Sequence, residues 1–205
     1  MPRHGRRDTP QLTLELVTVR RAGTAASQAV DHYRARLLRY PDGGQQPEPD
    51  QLATLELYAF TRDRAWEVAR SYADLSAELS RNVHTVVEQV FGHDDRVRPQ
   101  LGAALQFGVA SFLVVDQVQS APEVAGCGYS QLAVATASAT LCTYDLMLAD
   151  SQAHPTGPGP HIGWADLGFV PLVGTVSVLD LRLRQRERDR HMRGACLSDV
   201  PSDAA

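Results

Sequence analysis

Between Ser111 and Leu141 the chain runs without interruption through a strand, a proline, a loop with two glycines and a helix, and few folds accommodate that succession. SFLVVDQVQ, residues 111–119, is the most strand-like run in the sequence, rich in β-branched and apolar side chains. Ser120-Ala-Pro ends it, and Gly126 and Gly128 punctuate the loop. Tyr129–Leu141 then reads as a helix rich in Ala, Ser and Thr, whose small side chains let it sit close against a sheet. A strand that enters a helix through a glycine turn makes an anion cradle. The first N–H groups of a helix have no partner within it, the helix dipole favours negative charge there, and glycine lets a ligand approach the backbone. Two familiar phosphate fingerprints are absent: Gln131 stands where a dinucleotide-binding loop needs its third glycine, and no Gly-Lys-Ser/Thr occurs.

The remaining chain supplies elements for an α/β domain. Gln11–Arg20 alternates Leu12, Leu14 and Leu16 with polar neighbours and predicts a strand. Ala26, Val30, Tyr33, Leu37 and Tyr40 recur at spacings of four and three and predict a helix, capped by Thr24 or Ser27 and stopped by Pro41-Asp-Gly-Gly. Leu52–Phe60 predicts a second strand. Val68, Tyr72, Leu75, Leu79, Val83, Val86 and Val90 predict one long helix over 65–90, ended by Gly92. A short helix over Arg98–Leu105, a strand over Tyr144–Asp150, a helical turn over Ile162–Gly168 and a closing strand over Thr175–Leu183 complete the list, and no internal repeat is present. The loop His154–Pro160 cannot be helical. Residues 1–10 and 184–205 read as charged tails around a domain spanning 11–183.

The run FLVVDQVQSAPEVAGCGYSQLAVATA resembles the acyl-CoA motif of the GNAT superfamily of N-acyltransferases: a strand, a proline, an Arg/Gln-x-x-Gly-x-Gly/Ala loop and a helix. GWADLGFVPL resembles the aromatic-x-x-Leu-Gly-Phe segment before that fold's last strand, and TVSVLDLRL follows as the strand itself. The resemblance covers 11–183 and suggests a divergent, actinobacterial-type branch. It implies a mixed, mostly antiparallel central sheet flanked by helices, with a long helical insert before the motif strand. It also implies acetyl-CoA or another acyl-CoA as co-substrate.

Carried over by position, the family's basic first residue falls on Ala125, its glycine on Gly128 and its small residue on Ser130. Gly126, Cys127, Gly128, Tyr129 and Ser130 then form the pyrophosphate loop, with backbone N–H groups offered by Cys127 through Ser130. Val118, Gln119 and Ser120 fall where the family pairs with the pantetheine arm. A second register puts Glu123, Gly126 and Gly128 on the three motif positions; Leu132, as the apolar helix residue after the loop, favours the first. A tyrosine that often serves as general acid falls on Trp164.

Asp116 lies on the motif strand where many members carry a basic carboxylate, and alternation places it on the face of Phe112, Val114 and Val118. Glu56, on the second strand, is another candidate base, and Tyr129 a candidate proton donor to the leaving thiolate. Each has a structural alternative: a paired carboxylate, a solvated strand face, a packed ring. Cys127 has no His–Asp partner signature, Cys127, Cys142 and Cys196 form no Cys-x-x-Cys pair, and no His-x-x-x-His spacing supports a metal site.

The net charge of −4 disfavours nucleic-acid binding through a bulk basic field. There is no secretory signal and no apolar run near the roughly 20 residues that span a bilayer, so a soluble, cytoplasmic protein is expected. Expected partners are a small-molecule or protein amine, with no nucleic acid, no membrane and room for a homodimer. The function expected from the resemblance is amine acylation; the alternative is a non-catalytic acyl-CoA-binding or protein-interaction module on the same fold.

Overall fold

Alternating apolar and polar side chains build one seven-stranded sheet. Its strands in chain order are β1 (Gln11–Val19), β2 (Val30–Tyr40), β3 (Asp50–Thr61), β4 (Ser111–Ser120), β5 (Leu146–Asp150), β6 (Val170–Val173) and β7 (Val176–Asp180). In space the order is β1-β2-β3-β4-β5-β7-β6. Neighbours are antiparallel except β4 and β5, which run parallel. A parallel pair needs a crossover, and α5 (Tyr129–Thr140) provides it. The computed structural model describes residues 11–19, 23–40, 48–102, 105, 108–152, 163–183 and 185–186. The expected tail 1–10, the loop His154–Pro160 with the neighbouring His161, and most of the tail 184–205 lie outside the described residues.

Helices cover both faces. On one, α5 packs Val134 and Ala137 against Leu55, Leu57, Leu113, Val115, Val118 and Met147. On the other lie α1 (Ala25–Ala29), α2 (Arg62–Glu67), α3 (Tyr72–Ala77) and α4 (Arg81–Val90). They bury Tyr72, Leu75, Val83, Val86 and Val90 against Tyr58, Phe60, Phe112, Val114, Leu146 and Leu148. Phe112 is the hub of that layer, with ring centroids 4.9 Å from Phe60, 4.4 Å from Phe91 and 5.0 Å from Tyr72. Burying each such side chain contributes about 1.5–3 kcal/mol. The Tyr72 hydroxyl pays for its place here: burial pushes its pKa up to about 12.

Two sequence expectations change. The stripe over Ala26–Tyr40 is not one helix: α1 ends at Ala29 and β2 begins at Val30. Tyr33, Ala35 and Leu37 also satisfy a period of two, and β2 is a central strand paired along its length with β1 and β3. That pairing decides between the two periods. The long helix over 65–90 is three shorter ones. Ala69 turns to φ 52°, and Ser71 and Ser80 each accept an N–H from three residues ahead, Asp74 and Val83, as new N-caps. At Ser71 the cap is reciprocal, because the Asp74 side chain accepts the Ser71 N–H in return.

Candidate functional site

β4 and β5 hold together only from Phe112↔Leu146 to Val115↔Ala149. Beyond that rung β4 continues to Ser120, still paired with β3 on its other edge, where Ser120 lies opposite Ala53. The edge that faced β5 is therefore unpaired over 116–120 among the described residues. The opening leads to a short 3-10 turn at Pro122–Val124 and then to the glycine loop before α5.

The loop has the backbone a cradle needs. Gly126 and Gly128 have φ of 84° and 81°, in the left-handed region that L side chains disfavour. Gly128 caps α5 with no side-chain hydrogen bond to the helix. The N–H groups of Gly126, Gly128, Tyr129, Ser130 and Gln131 donate to no described residue, whereas Leu132 N–H already reaches the Gly128 carbonyl at 3.0 Å. The Cys127 N–H corrects the sequence expectation: it is taken by the Val124 carbonyl at 3.1 Å and is not offered to a ligand. Ser120 Oγ and Ser130 Oγ lie 2.5 Å apart, tying the end of β4 to the first turn of α5. Ala125 and Glu123, the two candidates for the missing basic position, are both exposed. Gln119 is exposed too, but Val118 is buried beneath α5, so only its backbone can meet a ligand on this edge.

Asp116 sits where the strand register breaks. Glu56 lies opposite Gln117 and Leu57 opposite Val115, so Asp116 is the extra residue of a bulge. The bulge resets the alternation: Val118 falls on the α5 face, not with Phe112, Val114 and Asp116 as the sequence suggested. Asp116 is 6% exposed. Its Oδ1 accepts the Ser80 hydroxyl at 2.6 Å, while Oδ2 makes no hydrogen bond among the described residues. Asn82 Nδ2 donates to the Asp116 carbonyl at 3.0 Å and the Val115 carbonyl at 3.3 Å.

The other candidate acids and bases are not assembled around Asp116. Glu56 is close, on the adjacent strand, but both its oxygens are engaged. Arg34 donates to Oε1 at 3.1 and 2.8 Å, and His32 Nε2 lies 3.3 Å from Oε2. His32 in turn stacks on Tyr58 at 4.5 Å. Tyr129 starts α5 on the opposite face, packed against the cluster of Leu37, Leu52, Ala53 and Ala133. Trp164 is buried and packs edge-on against Phe169 at 4.9 Å, so it is a core ring on the α5 face. Sequence reasoning missed Ser80 and Asn82, whose only signal was the N-cap pattern before Val83.

No protein-family model matches the chain, and no curated protein matches its sequence. Among solved structures it matches a KacTA–DNA complex, with a TM-score of 0.44 and 12% identity over 88% of this chain and 99% of that chain. It also matches a point mutant of KacT, with a TM-score of 0.46 and 12% identity over 86% of this chain and 99% of that one. A likeness this distant carries no conclusion about activity, and nothing in it supports an actinobacterial-type branch. The first match is a complex with DNA, and that finding overturns the expectation that nucleic acid has no place among the partners. A net charge summed over the chain is silent on local patches and on what a protein partner brings. No helix of the described residues is long and apolar enough to cross a membrane.

Proposed function

We propose that this chain is a GNAT-type N-acyltransferase that moves an acyl group, acetyl in the simplest case, from acyl-CoA to an amine by direct attack. The observation that carries the reading is the parting of parallel β4 and β5 after Val115↔Ala149, directly upstream of a glycine loop in which the Gly126, Gly128, Tyr129 and Ser130 amides donate to no described residue. An extended pantetheine arm can pair with the free edge of β4 along Val118, Gln119 and Ser120. Its pyrophosphate then meets the N–H groups of Gly126, Gly128, Tyr129 and Ser130 at the N-terminus of α5. This geometry suits a chain of amides with an anionic end.

The chemistry assigned to this chain's own residues is modest. The acceptor amine gives a proton to Asp116 Oδ2, the carboxylate oxygen left without a partner, directly or through water. Its nitrogen attacks the thioester carbonyl, the C–N bond forms, the C–S bond breaks, and the thiolate leaves and is protonated from solvent. Holding the two reactants in one slot supplies much of the acceleration. Glu56 is a weaker base candidate because Arg34 and His32 occupy its oxygens. Tyr129, on the far face, is at most a donor to the thiolate.

A second reading is a non-catalytic acyl-CoA-binding module, favoured by Trp164, which brings no hydroxyl to the position of the usual acid. One experiment separates the readings. Acetyl-CoA, but not NAD or ATP, should raise the melting temperature, and an amine panel should then release free CoA thiol. A shift from NAD or ATP with none from acetyl-CoA rejects both readings. A shift without thiol release from any amine leaves the second.

A further inference from the structure

We infer that the N-terminal turn of α4 belongs to the catalytic apparatus, with Ser80 and Asn82 as positioning residues for Asp116; this rests on the acyltransferase reading above. Ser80 does two things with one hydroxyl. It accepts the Val83 N–H at 3.1 Å as the cap of α4, and it donates to Asp116 Oδ1 at 2.6 Å. A hydrogen bond to one carboxylate oxygen restricts rotation of the group and leaves the other oxygen to accept a proton, which is what a base in a slot requires.

Asn82 secures the backbone beneath it. One Nδ2 reaches two successive carbonyls, those of Val115 and Asp116, at the last β4–β5 rung and the bulge that follows, and lies 3.5 Å from the Asp116 carboxylate Oδ1 as well. In a trans peptide the C=O and N–H point in opposite directions, so holding these carbonyls also sets the N–H groups of Asp116 and Gln117. The arrangement costs stability, because Asn82 Oδ1 is left buried without a hydrogen-bond partner among the described residues. A contact needed only to dock α4 would be made more cheaply by apolar packing, of which Val83, Val86 and Val90 already provide plenty. An amide that leaves its own oxygen unsatisfied in order to hold a bulge is better explained by what the bulge carries.

The test separates capping from positioning. Glycine caps a helix nearly as well as serine but has no hydroxyl. Ser80→Gly keeps the cap but removes the donor to the buried Asp116 carboxylate, so it should melt roughly 3–12 °C below the wild type and still fold. It should bind acetyl-CoA with unchanged Kd by calorimetry, and lose about tenfold in kcat for acetylation of n-propylamine. Ser80→Thr, which keeps the hydroxyl, should restore kcat. Asn82→Ala should show the same split between kcat and acetyl-CoA affinity, and serves as the second probe if Ser80→Gly folds poorly. Equal kcat in Ser80→Gly and wild type, or failure of Ser80→Thr to recover it, overturns the inference. So does a wild type that binds acetyl-CoA yet acetylates no n-propylamine, since nothing is then being positioned. A wild type that binds no acetyl-CoA removes the acyltransferase reading itself, and the two failures are thus told apart.

Discussion

Replacing Gly128 with alanine isolates the backbone contribution of the loop. An added Cβ at Gly128 would have Gln131 Oε1 3.5 Å away as its nearest neighbour, ordinary contact, so crowding costs nothing in the free protein. The cost is conformational: at φ 81° an L residue pays about 1–2 kcal/mol. For a chain of this size each kcal/mol is worth about 2–4 °C, so Gly128→Ala should melt roughly 2–8 °C lower. Gly128→Asn should recover part of that, because asparagine tolerates the left-handed region better than alanine. The second half of the experiment adds acetyl-CoA. At a hundred times Kd a ligand stabilises by about 2.7 kcal/mol, or roughly 5–11 °C here. The wild type should show that rise, and the Ala variant a smaller one, since a methyl group at the cradle floor hinders close approach of phosphate. Differential scanning fluorimetry over a ligand series reads both quantities. An alanine variant with wild-type melting behaviour would refute the strained-loop assignment. A full ligand response in that variant would show that the pyrophosphate does not rest on Gly128.

Three further outcomes follow from the same geometry. Asp116→Asn keeps an acceptor for Ser80 but cannot take a proton, so kcat for amine acylation should fall about 10²-fold with little change in acetyl-CoA affinity; undiminished turnover would make Asp116 structural. Ala125→Arg adds a cation to an exposed loop position, and a charge-assisted bond of about 1.5–3 kcal/mol should tighten CoA binding roughly tenfold or more, less so at high salt. If only Glu123→Arg does this in calorimetric titration, the second motif register is correct. Asp95 is held at φ 59° with its carboxyl pKa raised, chiefly by burial and against the opposing hydrogen bond from the Tyr72 N–H. A carboxyl whose folded pKa exceeds its unfolded value destabilises the fold once pH has risen through the folded value, and does not below the unfolded value of about 3.9. Asp95→Asn should thus melt higher at neutral pH, with the gain vanishing below about pH 3; a pH-independent gain would assign the effect to backbone tolerance instead.

Much of the proposed cradle was legible in the sequence because it is local. The succession strand, proline, glycine loop and helix over Ser111–Thr140 is dictated by short-range preferences: β-branched residues for β4, Gly128 for a left-handed cap, small residues for α5. Period-two alternation likewise located β1, and strand-like runs located β3 and β4, nearly to their ends. The features that pairing and packing decide were not legible. Val30–Tyr40 carries two periods at once, and only its place between β1 and β3 makes it a strand. The bulge at Asp116 inserts one residue without any mark in the sequence, yet it moves Val118 to the opposite face and leaves Asp116 alone beneath α4. Ser80 and Asn82 are separated from Asp116 by more than thirty positions in the chain, and they meet it only because α4 docks on β4. Short-range chemistry fixes which segments bend, extend or coil; the register between strands and the contact between helix and sheet are set by the whole core, and the side chains around Asp116 belong to that second kind of information.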